Sequence, residues 1–219
     1  MSFISLENVE KSFGKTQVLR GLNINIEEKE LVAIRGASGS GKSTLLYLLG
    51  GLDKPTTGKV IINNRNLHDL GDEGLAHFRN EFVGFVFQFH FLLPSMTCRD
   101  NILLPGRIGG KDLKKVETDI SKLCETLGVG HCLTKYPFEI SGGEQQRINI
   151  IRALSLRPKI LLCDEPTGNL DSKNSEKVTT LLKNLAADFA ATLLVVTHDD
   201  KVASHFPRKI VIEDGQIIG

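Results

Sequence analysis

The residues best suited to chemistry stand in one run, Gly36-Ala37-Ser38-Gly39-Ser40-Gly41-Lys42-Ser43-Thr44, which meets the phosphate-loop pattern G-x-x-x-x-G-K-[ST] at every fixed position. A loop wrapped round a polyphosphate must turn its backbone N–H groups inward, and Gly36, Gly39 and Gly41 permit that path. Lys42 supplies a point charge for the β and γ phosphates, and the Ser43 hydroxyl is of the type that ligates Mg²⁺. The flanks agree. Leu31-Val32-Ala33-Ile34 reads as a buried strand, and the leucines after Thr44 read as a helix stopped by Gly50-Gly51. Such a helix points its positive dipole end at the same anion. The chemistry is binding of a nucleoside triphosphate.

Three more polar groups follow apolar strands. Ile160-Leu161-Leu162-Cys163 runs into Asp164-Glu165, Leu193-Leu194-Val195-Val196-Thr197 into His198, and Val83-Gly84-Phe85-Val86-Phe87 into Gln88. With the strand before the phosphate loop, four apolar strands deliver functional groups at their C-terminal ends. In an open parallel α/β sheet that edge is where ligands bind. Asp164 is therefore expected as a Mg²⁺ partner and Glu165 as a base toward water.

Ser141-Gly142-Gly143-Glu144-Gln145-Gln146-Arg147 opens another helix. Ser141 with Glu144 forms a capping box, and Ile148, Ile151 and Leu154 continue one face until Pro158. Two glycines at a helix N-terminus make a second anion site. One nucleotide pocket and a spare phosphate-gripping helix end in the same chain point to a second subunit.

The elements that must position these groups are partly legible. Strands are expected over 3–9 and 22–26 with Phe13-Gly14 in a turn between them, a third strand at Val60-Ile61-Ile62 before the turn Asn63-Asn64, and a terminal hairpin about Asp214-Gly215. An amphipathic helix is expected over 111–127, stopped by Gly128. Five of the eleven phenylalanines fall between Phe82 and Phe91. Phe85 and Phe87 read as core, whereas Phe89-His90-Phe91-Leu92-Leu93-Pro94 reads as a loop that would expose an apolar docking patch.

At 219 residues the chain suits one domain with a sizeable interior. A net charge of +1 argues against a strongly electrostatic nucleic-acid binder, and no nucleic-acid partner is expected. Cys98, Cys124, Cys132 and Cys163 are scattered without C-x-x-C spacing or histidine partners, so reduced thiols of a cytoplasmic protein are expected rather than a disulfide frame or zinc site. No apolar run reaches the length of a membrane span, and the first residues lack the regions of a signal peptide. Membrane association would have to come through a partner.

Taken together, the phosphate loop, Gln88, Ser-Gly-Gly-Glu-Gln, Asp164-Glu165, Gly168-Asn169-Leu170-Asp171 and His198 resemble the nucleotide-binding subunit of an ATP-binding cassette (ABC) transporter, in order and over nearly the whole chain. The resemblance implies one cassette over 1–219: an α/β phosphate-loop core with a mainly parallel sheet, an N-terminal antiparallel β portion, and a helical subdomain at about 95–157. It implies ATP and Mg²⁺ as ligands. Phe13 would stack on adenine, where the family more often has Tyr. Gln88 would reach the Mg²⁺ and the attacking water, Glu165 would be the general base, and His198 would hold the γ-phosphate. Ser141, Gly142, Gly143 and Glu144 would meet the nucleotide held by the second copy of a two-fold dimer. Ile140 stands where Leu usually opens this signature, a small apolar change.

Within that superfamily, Phe87 to Pro94 and Asp164 to Asp171 are similar to the ATPase of lipoprotein-releasing systems, a group sharing its architecture with macrolide-type exporters and a cell-division ATPase. That implies a motor at the cytoplasmic face of the inner or plasma membrane, peripheral through a permease that meets the apolar loop after Gln88. A soluble ABC ATPase without a transporter usually has two cassettes or a long coiled-coil insert, and this chain has neither. A phosphate-loop kinase would leave Ser141 to Gln145 and His198 without a role.

Overall fold

The computed structural model describes residues 2–168 and 170–218; Asn169, part of the motif quoted above, lies outside them. The chain opens with β1 (Ile4–Phe13) and β2 (Thr16–Ile26), then β3 (Leu31–Arg35), the phosphate loop and α1 (Lys42–Leu49). There follow β4 (Thr57–Ile62), β5 (Arg65–Asn66), α2 (Asp72–Phe82) and β6 (Val83–Phe87). Three helices come next, α3 (Cys98–Ile108), α4 (Leu113–Thr126) and α5 (Gly142–Leu154). The last part runs β7 (Ile160–Asp164), α6 (Ser172–Asp188), β8 (Thr192–Thr197), α7 (Asp200–Ser204), β9 (Arg208–Glu213) and β10 (Gln216–Ile217).

A six-stranded sheet of order β10-β9-β3-β8-β7-β6 is parallel except for the β9–β10 hairpin. A separate antiparallel sheet has the order β2-β1-β4-β5. The strand period of two sorts the central sheet's side chains onto opposite faces. Val32, Ile34, Ile160, Leu162, Leu194 and Val196 pack with α1 and the antiparallel sheet, whereas Ala33, Leu161, Cys163, Leu193 and Val195 pack with the helices from α3 onward. Both faces being covered, β7 and β8 are buried at every residue, which is why they read as unbroken apolar runs.

The structure departs from the sequence reading in four places. β1 and β2 are longer than expected and leave only Gly14-Lys15 as the turn, with Phe13 closing β1. The pairing shifts register between Leu6 and Val9, and Asn8 there has φ 49°, so a bulge breaks the alternation that marks a strand. Phe85 and Phe87 are only half-buried, because β6 is an edge strand whose faces are incompletely covered. Their rings stack at 5.1 Å, and Phe91 meets Phe87 edge-on at 5.2 Å. Helix α5 stops at Leu154, short of Pro158, with Ser155 as its C-cap. Finally, α2, α3, α6 and α7 add to the elements read from the sequence. Among the described residues no helix is long and apolar enough to cross a membrane.

Candidate active site

The phosphate loop leaves the C-terminal end of β3 and closes into α1. Gly39 and Gly41 take φ of 80° and 103°, conformations that a side chain would strain, and a Cβ on Gly41 would also strike Leu19 of β2. Ser40 N–H donates to the Ala37 carbonyl at 3.2 Å, and Lys42 Nζ donates to the same carbonyl at 2.7 Å. Ala37, Ser38 and Gly39 are exposed at the loop crest, with Thr44 half-buried on α1 behind it. Ser40 Oγ is buried without a hydrogen-bond partner among the described residues. Gly36 and Ala37 share a cleft of about 330 Å³ with His198 and Asp200.

Parallel pairing brings the end of β7 to the same edge. Asp164 Oδ1 accepts from Ser43 Oγ at 2.9 Å, and Oδ2 accepts from Tyr47 OH at 3.2 Å. Ser43 and Tyr47 are four apart on α1 and so share one helix face. Burial, and then the Asp164 carboxylate, push the Tyr47 phenol above its ordinary pKa, so it stays a donor. The sequence reading missed Tyr47; its only signal is that spacing from Ser43.

Glu165 follows with φ 47°, uncommon for a residue with a side chain, while its N–H donates to the Val196 carbonyl at 3.0 Å. This held turn directs one carboxylate oxygen, Oε1, to His198 Nδ1 at 2.8 Å and leaves the other, Oε2, buried without a partner among the described residues. Gln88 is half-buried beyond β6, its amide against Gly168, where a Cβ would stand 2.7 Å from Nε2. Gly168 thus makes room for Gln88, a role the sequence did not reveal.

The structure therefore brings together Gly36 to Thr44, Asp164, Glu165 and His198. Among the described residues, no hydrogen bond joins Ser141 to Glu144 with the phosphate loop. Ser141 caps α5 as expected: Glu144 Oε2 accepts from its N–H at 2.7 Å and its hydroxyl at 2.6 Å, while Gly142 and Gly143 are exposed. Glu144 Oε1 meets His131 Nε2 at 2.8 Å, so both oxygens are engaged. The Phe13 ring is 53% exposed, with Lys11 Nζ 4.8 Å from its centroid, and so offers a face for stacking.

The loop after Gln88 is held from beneath by residues the sequence did not single out. Arg152 of α5 donates to the carbonyls of His90 and Phe91, and Asn101 of α3 grips Leu93 through its N–H and carbonyl. Phe89 and Phe91 stay exposed at 66% and 61%, as expected of a docking patch. All four cysteines are free and buried. The expectation that none has a histidine partner is corrected at Cys132, whose Sγ lies 3.4 Å from His131 Nε2; a short turn over Gly130–Cys132 folds both toward α5.

Comparison with known proteins agrees with this geometry. The family profile described as ABC transporter matches residues 19–168. A curated relative from Cytophaga hutchinsonii, "Lipoprotein-releasing system ATP-binding protein LolD", is 45% identical over 208 residues, covering 95% of each chain. One of the same name from Geobacter metallireducens is 43% identical over 221 residues, covering 99% of this chain and 98% of its own. The solved dimeric bacterial ABC transporter cassette MJ0796 superposes with a TM-score of 0.87 at 40% identity, covering 99% of this chain and 97% of that one. A post-hydrolysis dimer of the same cassette, bound to ADP and Pi, gives 0.86 at 39% identity over the same shares. From its profile, its relatives and its fold, the chain belongs to the ABC transporter family, among the ATP-binding cassettes.

Proposed function

We propose that this chain is the ATP-hydrolysing motor subunit of a lipoprotein-releasing ABC transporter. It works as a two-fold dimer at the cytoplasmic face of the inner membrane, attached through a permease. The observation that carries the enzymatic reading is the edge where Ser43, Asp164, Glu165 and His198 converge beside the phosphate loop. The subgroup rests on the relatives named for lipoprotein release.

In this reading the loop N–H groups and Lys42 hold the phosphates, and Phe13 stacks on adenine. Lys42 Nζ, resting on the Ala37 carbonyl, exchanges that neutral acceptor for phosphate oxygen. The hydroxyl and carboxylate paired at Ser43 and Asp164 are hard oxygen donors suited to Mg²⁺, with Gln88 completing the set. When bound, Mg²⁺ would neutralise phosphate charge. Glu165 Oε2 takes the proton of the attacking water, while Oε1 holds the His198 ring toward the γ-phosphate. Ser141, Gly142 and Gly143 at the start of α5 cover the nucleotide bound by the other copy, with Glu144 fixing the Ser141 side chain. The three helices α3 to α5 act as a helical subdomain at about 95–157, and the exposed Phe89 and Phe91 receive the permease.

Exchanging Glu165→Gln should abolish hydrolysis and trap ATP, giving a nucleotide-dependent dimer by size exclusion. A variant that stays monomeric in saturating ATP and Mg²⁺ would contradict the shared site. Co-purification of the wild-type chain with a lipoprotein-releasing permease from solubilised membranes tests the subgroup; an exporter permease in its place would replace it.

A further inference from the structure

Beside the Ser141 cap, three side chains of different chemistry converge at the start of α5. Their ligand atoms, His131 Nε2, Cys132 Sγ and a Glu144 carboxylate oxygen, all lie within 4.8 Å of one another. The imidazole is 2.8 Å from Glu144 Oε1 and 3.4 Å from the sulfur. We infer that His131, Cys132 and Glu144 form a binding site for a divalent ion of the zinc class.

The donor set is the first argument. Nitrogen, sulfur and carboxylate oxygen together suit a tetrahedral zinc-type ion and do not suit Mg²⁺ or Ca²⁺, which take oxygen. Bond lengths of about 2.0–2.3 Å to such an ion place neighbouring ligand atoms about 3.3–3.6 Å apart. The sulfur–imidazole spacing already meets this, the imidazole–carboxylate pair has to open by about half an ångström, and the sulfur and carboxylate oxygen lie within 4.8 Å of each other. Three protein ligands leave a fourth position for water.

Pre-organisation is the second. Backbone hydrogen bonds from Cys132 N–H to the Val129 carbonyl and from Lys135 N–H to the Cys132 carbonyl, both 2.9 Å, shape the turn, and Cys98 N–H and Arg99 N–H donate to the Lys135 and Leu133 carbonyls just after it, tying it to α3. Glu144 is fixed by the cap, where Oε2 alone serves Ser141, so Oε1 can turn from the imidazole to an ion without breaking the cap. The His131 side chain is 57% exposed and opens the site to solvent, while Cys132 is wholly buried behind it. Metal binding displaces the Cys132 thiol proton to solvent as the Sγ–metal bond forms. An ion there would tie the Gly130–Cys132 turn to the residues that cap α5.

The test needs no nucleotide, so its outcome is separate from that of the ATPase reading. The full chain, reduced and nucleotide-free, is titrated with Co²⁺ while the thiolate-to-cobalt charge-transfer band is followed, and Zn²⁺ is then added in competition. One equivalent should develop the band and Zn²⁺ should abolish it. Cys132→Ser should lack the band and Cys124→Ser should keep it. His131→Gln, at an exposed position that does not threaten folding, should weaken Zn²⁺ binding by at least the ~10-fold that even outer-shell changes cost. A wild-type chain without the band, a band that survives Cys132→Ser, or undiminished Zn²⁺ affinity in His131→Gln would each overturn the site.

Discussion

Arg152 Nη1 donates to the carbonyl of Phe91 at 2.7 Å, across 61 residues of sequence, and its Nη2 reaches the carbonyl of His90 at the same distance. The bond joins the helix that begins at Ser141 to the apolar loop after Gln88. His90 and Phe91 carry φ of 24° and 46°, so the guanidinium holds a backbone that would otherwise relax. Arg152→Ala removes the two charge-assisted bonds to the loop, each worth about 1.5–3 kcal/mol, and a third to Asn149 Oδ1 within α5. The basal ATPase of the isolated chain should persist, stimulation by the permease should fall, and limited proteolysis should cut sooner between His90 and Ser95. Unchanged stimulation would separate the loop from coupling.

Lys42→Ala should act on binding. Its ammonium contacts a neutral carbonyl in this structure and phosphate in the proposed complex. Loss of one charge-assisted contact, about 1.5–3 kcal/mol, weakens ATP by roughly tenfold or more. Equilibrium binding of a fluorescent ATP analogue measures it; an unchanged Kd would remove Lys42 from the phosphate site.

Gly84→Ala tests packing. A Cβ there would press on the Ala153 carbonyl, and also lie 3.0 Å from Pro158 Cγ. Since the nearest obstacle is backbone, relief requires β6 to move away from α5. The expected cost is about 1–3 kcal/mol or more, seen as a lower urea midpoint with an unchanged slope.

The cap at Ser141 should leave a mark on acid stability. The Ser141 hydroxyl first, then its N–H, with help from His131, hold the Glu144 carboxyl down to about 2. The folded state thus favours the carboxylate relative to an unfolded glutamate at about 4.3. Its stabilisation is complete above about pH 4.3 and disappears as pH falls toward about 2. Glu144→Gln should therefore be less stable than wild type at neutral pH, and thermal melts of the two should converge below about pH 4. A constant gap across that range would refute the ionic contribution.

Legibility in the sequence followed the range of the contacts. β7 and β8 are covered on both faces, so their apolar runs are unbroken and were found. β1 escaped full recognition because its bulge at Asn8 shifts the alternation. α3 was hidden by Pro105 inside it and by the buried polar Asn101, whose amide serves the neighbouring loop instead of a core. In the site, the phosphate loop and the Ser141 cap are local geometries that a short pattern encodes. Tyr47 left only a four-residue step from Ser43, and Arg152 left nothing, because its partners lie 61 and 62 residues away. Cys132 reads in the sequence as a thiol without a histidine partner, because His131 and Glu144 join it only once the turn has formed.

The division of the interior has a mechanical consequence. Leu45, Leu46, Leu48 and Leu49 of α1 pack on one side of the central sheet, and Ile148, Ile150, Ile151 and Leu154 of α5 pack on the other. The sheet stands between them as a stiff wall. In the proposed dimer, a tilt of the Ser141 end would therefore repack one apolar compartment while the floor beneath the phosphate loop keeps its shape.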